Sequence, residues 1–282
     1  YGDHRDLHLS IRRQRQMCIR DRFIAGGCSF TLGNELSDDV NGKTPSKKAW
    51  ASRIAENTSM EYHCTAFGGL GNSAIARRVF NAVANTENIG CVVVMWSFLS
   101  RYDWAMPRHR NLEDTRWATI SPWDTNAGKE EAFRVISGSE TQQEQWRTKR
   151  DLFRETGVHG LAEAIYKYGA NQYHETYLGW KSIVWLQNIL EKKKIPFMFT
   201  LADNTLFYDE FKHHKDQDPF MNALHGEIDL TKWFSFGERM MGFNQWSLME
   251  EYERGTTHPL DKAHEDAVQL MLPTFNKLIG EK

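Results

Sequence analysis

The sequence predicts a three-layer α/β/α protein with a mainly parallel central sheet. Two observations carry that expectation. Short apolar runs alternate with segments of helical spacing, and one run, Cys91–Trp96 (Cys-Val-Val-Val-Met-Trp), is continuous, as in a strand buried on both faces. Strands alternating with helices imply parallel pairing through crossover connections. In such sheets ligands bind beyond the carboxyl ends of the strands. Ser29, Gly69, Ser97 and Asp203 each follow an expected strand, so all four are expected to face one crevice.

The elements are expected in this order. Phe23–Cys28 reads as a first strand. Ser46–Asn57 has apolar residues at Ala49, Trp50, Ile54 and Ala55, which is helical spacing. Tyr62–Phe67 reads as a second strand, Gly68–Gly71 as a turn and Asn72–Ala84 as a helix. After Cys91–Trp96, residues 97–157 are polar and dotted with Trp, and are expected to form loops and short helices over one end of the sheet. Leu161–Lys193 reads as a long helix with candidate breaks at Gly169 and Gly179. Ile195–Leu201 is a further buried strand, and 203–253 is mixed. Asp261–Leu278 is a terminal helix that Pro273 is expected to interrupt.

Composition narrows the class. The 282 residues are ample to bury a core. The formal net charge is −2, but residues 1–22 alone carry +3 from six Arg and three Asp. The body therefore has no basic bias, which excludes an electrostatic case for nucleic acid. Within residues 1–22, the segment Ile11–Arg22 resembles translated sequencing-adapter sequence. Residues 1–22 are set apart as a non-native or disordered extension, leaving 23–282 as a single domain with a Trp-rich insertion around 97–157. The four Cys show no metal-ligand spacing and read as reduced core thiols of a cytoplasmic protein. No apolar run reaches membrane-span length. His213 and His214 lie in a Lys-His-His-Lys-Asp stretch that reads as a solvated face.

Three short motifs carry chemistry. Ser29, in Gly27-Cys28-Ser29-Phe30-Thr31, follows the first strand and two glycines. A hydroxyl there is a candidate nucleophile, with free backbone N–H groups beside it. Gly68-Gly69-Leu70-Gly71-Asn72-Ser73 lies between a strand and its helix and offers backbone donors, with the Asn72 amide as another. His258-Pro259 stands just before the last helix, where an imidazole at the mouth of the sheet can act as a general base.

In this order, the three motifs resemble the blocks of the SGNH/GDSL hydrolase family. The resemblance implies a flavodoxin-like α/β/α fold and an ester hydrolase with Ser29 as nucleophile and His258 as base. Oxyanion donors would come from Ser29, Gly69, Gly71 and Asn72. No metal or organic cofactor is implied, and the substrate would be a small-molecule or glycan ester. The pattern departs in two places. Where the family has Asn after its third block's strand, this chain runs Trp96-Ser97-Phe98-Leu99-Ser100-Arg101, which makes Ser97 and Arg101 the candidate substitutes. Three residues before the histidine, where the family has Asp, stands Gly255. Glu253 and Asp261 are the nearby candidates for the missing carboxylate.

Two other classes compete. A non-catalytic carbohydrate-binding module on the same fold would account for the missing Asn and Asp, and Trp104, Trp117, Trp123 and Trp146 could then form a stacking groove. A dinucleotide site is suggested by Gly69-x-Gly71-x-x-Ala74. It lacks the acidic residue required at the end of the next strand, with none before Asp103. Gly42-Lys43-Thr44 is excluded as a phosphate loop because Ser37 stands where that motif needs glycine.

Overall fold

A computed structural model of the chain describes residues 21–58, 60–105, 117–125, 157–207 and 218–280. Its centre is a parallel four-stranded sheet. The strands are β1 (Arg22–Gly26), β2 (Glu61–Cys64), β3 (Ile89–Trp96) and, last in the chain, β6 (Phe197–Leu201), in the order β2-β1-β3-β6. Strand β1 opens at Arg22, so it takes in the last residue of the segment set apart at the N-terminus. Residues 1–20 of that segment lie outside the described residues.

The helices follow from side-chain periodicity. Side chains alternate across a strand, and β1 shows both faces occupied. Phe23 meets Phe275, of the terminal helix, at 5.8 Å between ring centroids. A Cβ at Gly26, on the other face, would come within 2.3 Å of Val79. Val79 belongs to α3 (Asn72–Asn85), which buries Ala74, Ile75, Val79, Ala82 and Val83 as one helical stripe. Helix α5 (Gln172–Lys192) packs beside α3 through Phe80 and Trp185 and through Ser73 and Ser182. On the opposite face, α2 (Trp50–Glu56) lies against α8 (Asp261–Ile279), and the Trp50 amide donates to His264 Nδ1 at 3.1 Å. These are the three layers expected. The chain leaves β1 for β2 on one side and returns to β3 on the other, so the carboxyl ends of β1 and β3 flank the topological switch point where such sheets hold ligands.

Three expectations about elements need correction. Pro273 does not interrupt α8, because it sits on the exposed face, where the carbonyl it leaves unbonded can be hydrated. Gly179 does not break α5. It makes room, since a Cβ there would lie 2.4 Å from Leu206 Cδ2. The break does fall at Gly169, where α4 (Val158–Ala164) runs into a π-turn over Ile165–Gly169; Asn171 then caps α5 by accepting from the His174 amide at 2.9 Å. Within 97–157 the structure also holds an antiparallel hairpin, β4 (Tyr102–Ala105) with β5 (Trp117–Ile120). Each strand is four residues long and buried at one end only, so neither carries an alternating pattern to read. Among the described residues, no helix is long and apolar enough to cross a membrane, and no group of His, Cys, Asp or Glu is arranged to hold a metal ion.

Candidate active site

Strand β1 ends at Gly26, and the next turn delivers Ser29. Gly27 is required there twice over. Its φ is +157°, and a Cβ would lie 2.0 Å from Thr31 Oγ1 and 2.6 Å from Thr31 Cβ. Ser29 then opens a single-turn helix, α1 (Ser29–Leu32). At this first helical position the Ser29 N–H has no acceptor behind it. Gly27→Ala is expected to cost about 3 kcal/mol or more, from overpacking and backbone strain together; a urea midpoint within error of wild type would contradict this.

His258 reaches Ser29 from the far end of the chain. Its loop is closed by a bridge between Arg254 and Pro259 and by the Gly255 amide, which donates to the His258 carbonyl at 2.9 Å. The Arg254 guanidinium braces the loop from outside, donating to the Thr257 carbonyl, to Asn244 Oδ1 and to Ser247 Oγ. Held in this way, His258 Nε2 lies 2.7 Å from Ser29 Oγ, and its ring packs on Phe30 at 4.7 Å between centroids.

The carboxylate at this histidine is neither of the two the sequence pointed to. Asp261 accepts from Ser37 Oγ and Lys48 Nζ, each at 2.6 Å, tying the segment after α1 to the start of α8. Glu253 is exposed, and its carbonyl accepts from the Leu260 amide. Glu35 stands at His258 instead. Its Oε2 is 3.3 Å from Nδ1 and accepts from the Thr257 and His258 amides at 3.0 Å each. Thr257 Oγ1 lies between them, 2.8 Å from Nδ1. Burial would raise the Glu35 carboxyl, but the side-chain bond from His258, the Thr257 and His258 amides and the charge of His258 outweigh it and hold the group at about 2. An ionised carboxylate can only accept, so it favours the tautomer with the proton on Nδ1 and the Nε2 lone pair turned to Ser29.

Two features mark Glu35 as a special position. It is a non-glycine residue at φ +69°, a left-handed conformation held by its amide donating to Asp39 Oδ2. A Cβ at position 255 would also lie 2.4 Å from Glu35 Oε2. The carboxylate expected three residues before the histidine is therefore supplied six residues after Ser29, and it occupies the space that residue 255 leaves empty. Gly255 signals the vacancy in the sequence; nothing there signals Glu35.

The glycine turn lies against the same crevice, with the Phe67 amide donating to the Gly27 carbonyl. Gly69 sits at φ +80° with open space where a side chain would be. Among the described residues, the N–H groups of Ser29, Gly69 and Gly71 have no hydrogen-bond partner. Asn72 differs from the expectation for it. It is buried, its Oδ1 accepts from the Ser97 amide at 2.7 Å, and its Nδ2 donates to the Ser97 carbonyl at 3.2 Å. Asn72 therefore ties the end of β3 to the start of α3. Ser97 is fully buried in that tie, and its Oγ accepts from Arg101 Nη1 at 2.7 Å.

Two other expectations separate from this site. Asp203 accepts from Gln245 Nε2 and the Thr205 amide, capping the turn after β6. The Trp groove does not form on the hairpin. The register pairs Trp104 with Ala118 and Ala105 with Trp117, which puts the two indoles on opposite faces, and the Arg77 guanidinium covers Trp117 at 4.3 Å. Trp146, His213 and His214 lie outside the described residues.

Beyond the strand ends of a parallel sheet, a serine hydroxyl, an imidazole and a carboxylate thus stand within reach of one another. The chain resembles solved SGNH and GDSL esterases in structure. One is an acetyl xylan esterase from the rumen bacterium Butyrivibrio proteoclasticus, at 10% identity and TM-score 0.41, covering 92% of this chain and 64% of that one. Another is a member of the lipolytic G-D-S-L family from Veillonella parvula, at 12% identity and TM-score 0.40, covering 91% and 99%. A third is an SGNH-hydrolase family esterase, AlinE4, at 10% identity and TM-score 0.34, covering 93% and 98%. This chain thus spans under two thirds of the acetyl xylan esterase. No protein-family model and no curated protein matches the sequence.

Proposed function

We propose that the protein hydrolyses esters through an acyl-enzyme, acting from a single domain over residues 23–282. The observation that carries this reading is the 2.7 Å contact between Ser29 Oγ and His258 Nε2, with Glu35 behind Nδ1. Ser29 Oγ attacks the acyl carbon while His258 Nε2 takes its proton. The N–H groups of Ser29, Gly69 and Gly71 receive the oxyanion. His258 then gives the proton to the departing alcohol, and water, activated by the same nitrogen, releases the acid. The substrate class is an O-acyl group on a carbohydrate or a lipid-like alcohol. The binding-module alternative leaned on a missing Asn and a missing Asp, and Glu35 beside His258 weakens the second of these supports.

The test is labelling with a fluorophosphonate probe. Wild type is expected to label and Ser29→Ala not to. Equal labelling of the variant would move the nucleophile elsewhere, and a wild type that never labels would end the hydrolase reading.

A further inference from the structure

The family pattern puts an asparagine after the third strand, and this chain has none there. The structure fills the region differently. Arg101 Nη1 donates both to the Leu70 carbonyl at 3.1 Å and to Ser97 Oγ at 2.7 Å. Its guanidinium lies over the Phe98 ring at 4.7 Å, Phe98 packs on Phe30 at 6.0 Å, and Phe30 packs on His258. The Arg101 backbone closes on the glycine turn as well, since a Cβ at Gly71 would lie 2.5 Å from the Arg101 carbonyl oxygen. No carboxylate among the described residues stands within ion-pair distance of this guanidinium.

We propose that Arg101 is a positioning residue that sets the oxyanion turn; this rests on the hydrolase reading above. A trans peptide is planar, with C=O and N–H on opposite edges. Fixing the Leu70 carbonyl against Arg101 therefore turns the Gly71 N–H away from the guanidinium, and that N–H is left without a partner among the described residues. The cation also polarises the peptide it binds, which strengthens the N–H as a donor. One side chain thus aims a donor and sharpens it without touching substrate, and its guanidinium reaches the ring stack that carries His258.

The experiment compares wild type with Arg101→Met, which keeps an unbranched side chain but loses the donors, and with Arg101→Lys. The readouts are p-nitrophenyl acetate kinetics and amide exchange at Gly69–Asn72. Arg101→Met is expected to lower kcat by about 10- to 100-fold with KM changed less than about threefold. Thermal stability and the shape of the pH profile should hold. Exchange at Leu70, whose amide donates to the Phe67 carbonyl across the turn, should quicken, Arg101→Lys should recover part of kcat, and millimolar guanidinium should rescue Arg101→Met in part. An unchanged kcat with unchanged exchange overturns the proposal, as does a kcat loss that follows lost stability and answers to neither rescue. A Ser29→Ala control separates the two readings. Hydrolysis that survives it moves the nucleophile away from Ser29 and so removes the site this inference rests on, while exchange at Leu70 still decides whether Arg101 holds the turn.

Discussion

Replacing Glu35 by alanine is expected to lower kcat by about 10²- to 10⁴-fold with KM little changed. Without the carboxylate, Nδ1 keeps only the Thr257 hydroxyl, which can donate as well as accept and so does not fix the tautomer, and the imidazolium formed during attack loses its counter-charge. The Thr257 and His258 amides lose their acceptor as well; the first is exposed and can turn to water, and the second is half-buried, so the added cost is about 1 kcal/mol. Loop destabilisation alone could therefore lower activity, and position 255 separates the two effects. Gly255→Asp in the native background should be harmful, because its Cβ would lie 2.4 Å from Glu35 Oε2 and two carboxylates would crowd one site. In the Glu35→Ala background the same Gly255→Asp change should restore at least about tenfold in kcat, because the carboxylate is gone, only the residue-35 Cβ remains at 3.2 Å, and an acid stands three residues before the histidine. Such a sign reversal is what coupled neighbours produce. A Glu35→Ala variant within threefold of wild type, or no rescue by Gly255→Asp, would show that Glu35 does not orient His258.

The second large effect is on stability in acid. His264 is buried in α8, accepts the Trp50 amide on Nδ1 and packs on Phe243 at 4.8 Å. Burial, with the nearby His258 charge adding to it, pushes its pKa down to about 3. The folded protein therefore refuses a proton that the unfolded chain accepts below about 6.5. Stability from this group is complete above that pH and falls as pH drops toward 3, at about 1.4 kcal/mol per pH unit, or a few kcal/mol in all. Glu35, lowered from 4.5 to about 2, adds its own loss only below about 4.5. Of these two groups, only His264 responds between pH 6.5 and 4.5. Urea denaturation at several pH values should show wild type losing stability across that interval and His264→Gln nearly flat, whatever its absolute stability. Parallel slopes would place the acid sensitivity elsewhere.

Strand β3 was legible because six consecutive buried residues leave little other reading, and α3 because its apolar stripe repeats at the helical period. The hairpin β4–β5 was not, because its short strands are half exposed and their partner is set by chain geometry rather than by pattern. The same division runs through the candidate site. Ser29, the glycine turn and His258 were nominated by local chemistry, by residues whose turns and strand ends make sense on their own. Asn72 reads as a free donor in sequence, whereas only the fold shows its Nδ2 donating to the Ser97 carbonyl.

The sequence by itself therefore determined the layers, the strands of the sheet and the two groups that meet at 2.7 Å, since strand–helix alternation puts every β-strand end on one side. Only the tertiary structure decided which carboxylate completes the array. Glu35 and His258 are 223 positions apart, and a carboxylate reaches an imidazole by proximity in space, for which no spacing rule exists. The glycine at 255 told of an absence; the fold shows that Glu35 fills it.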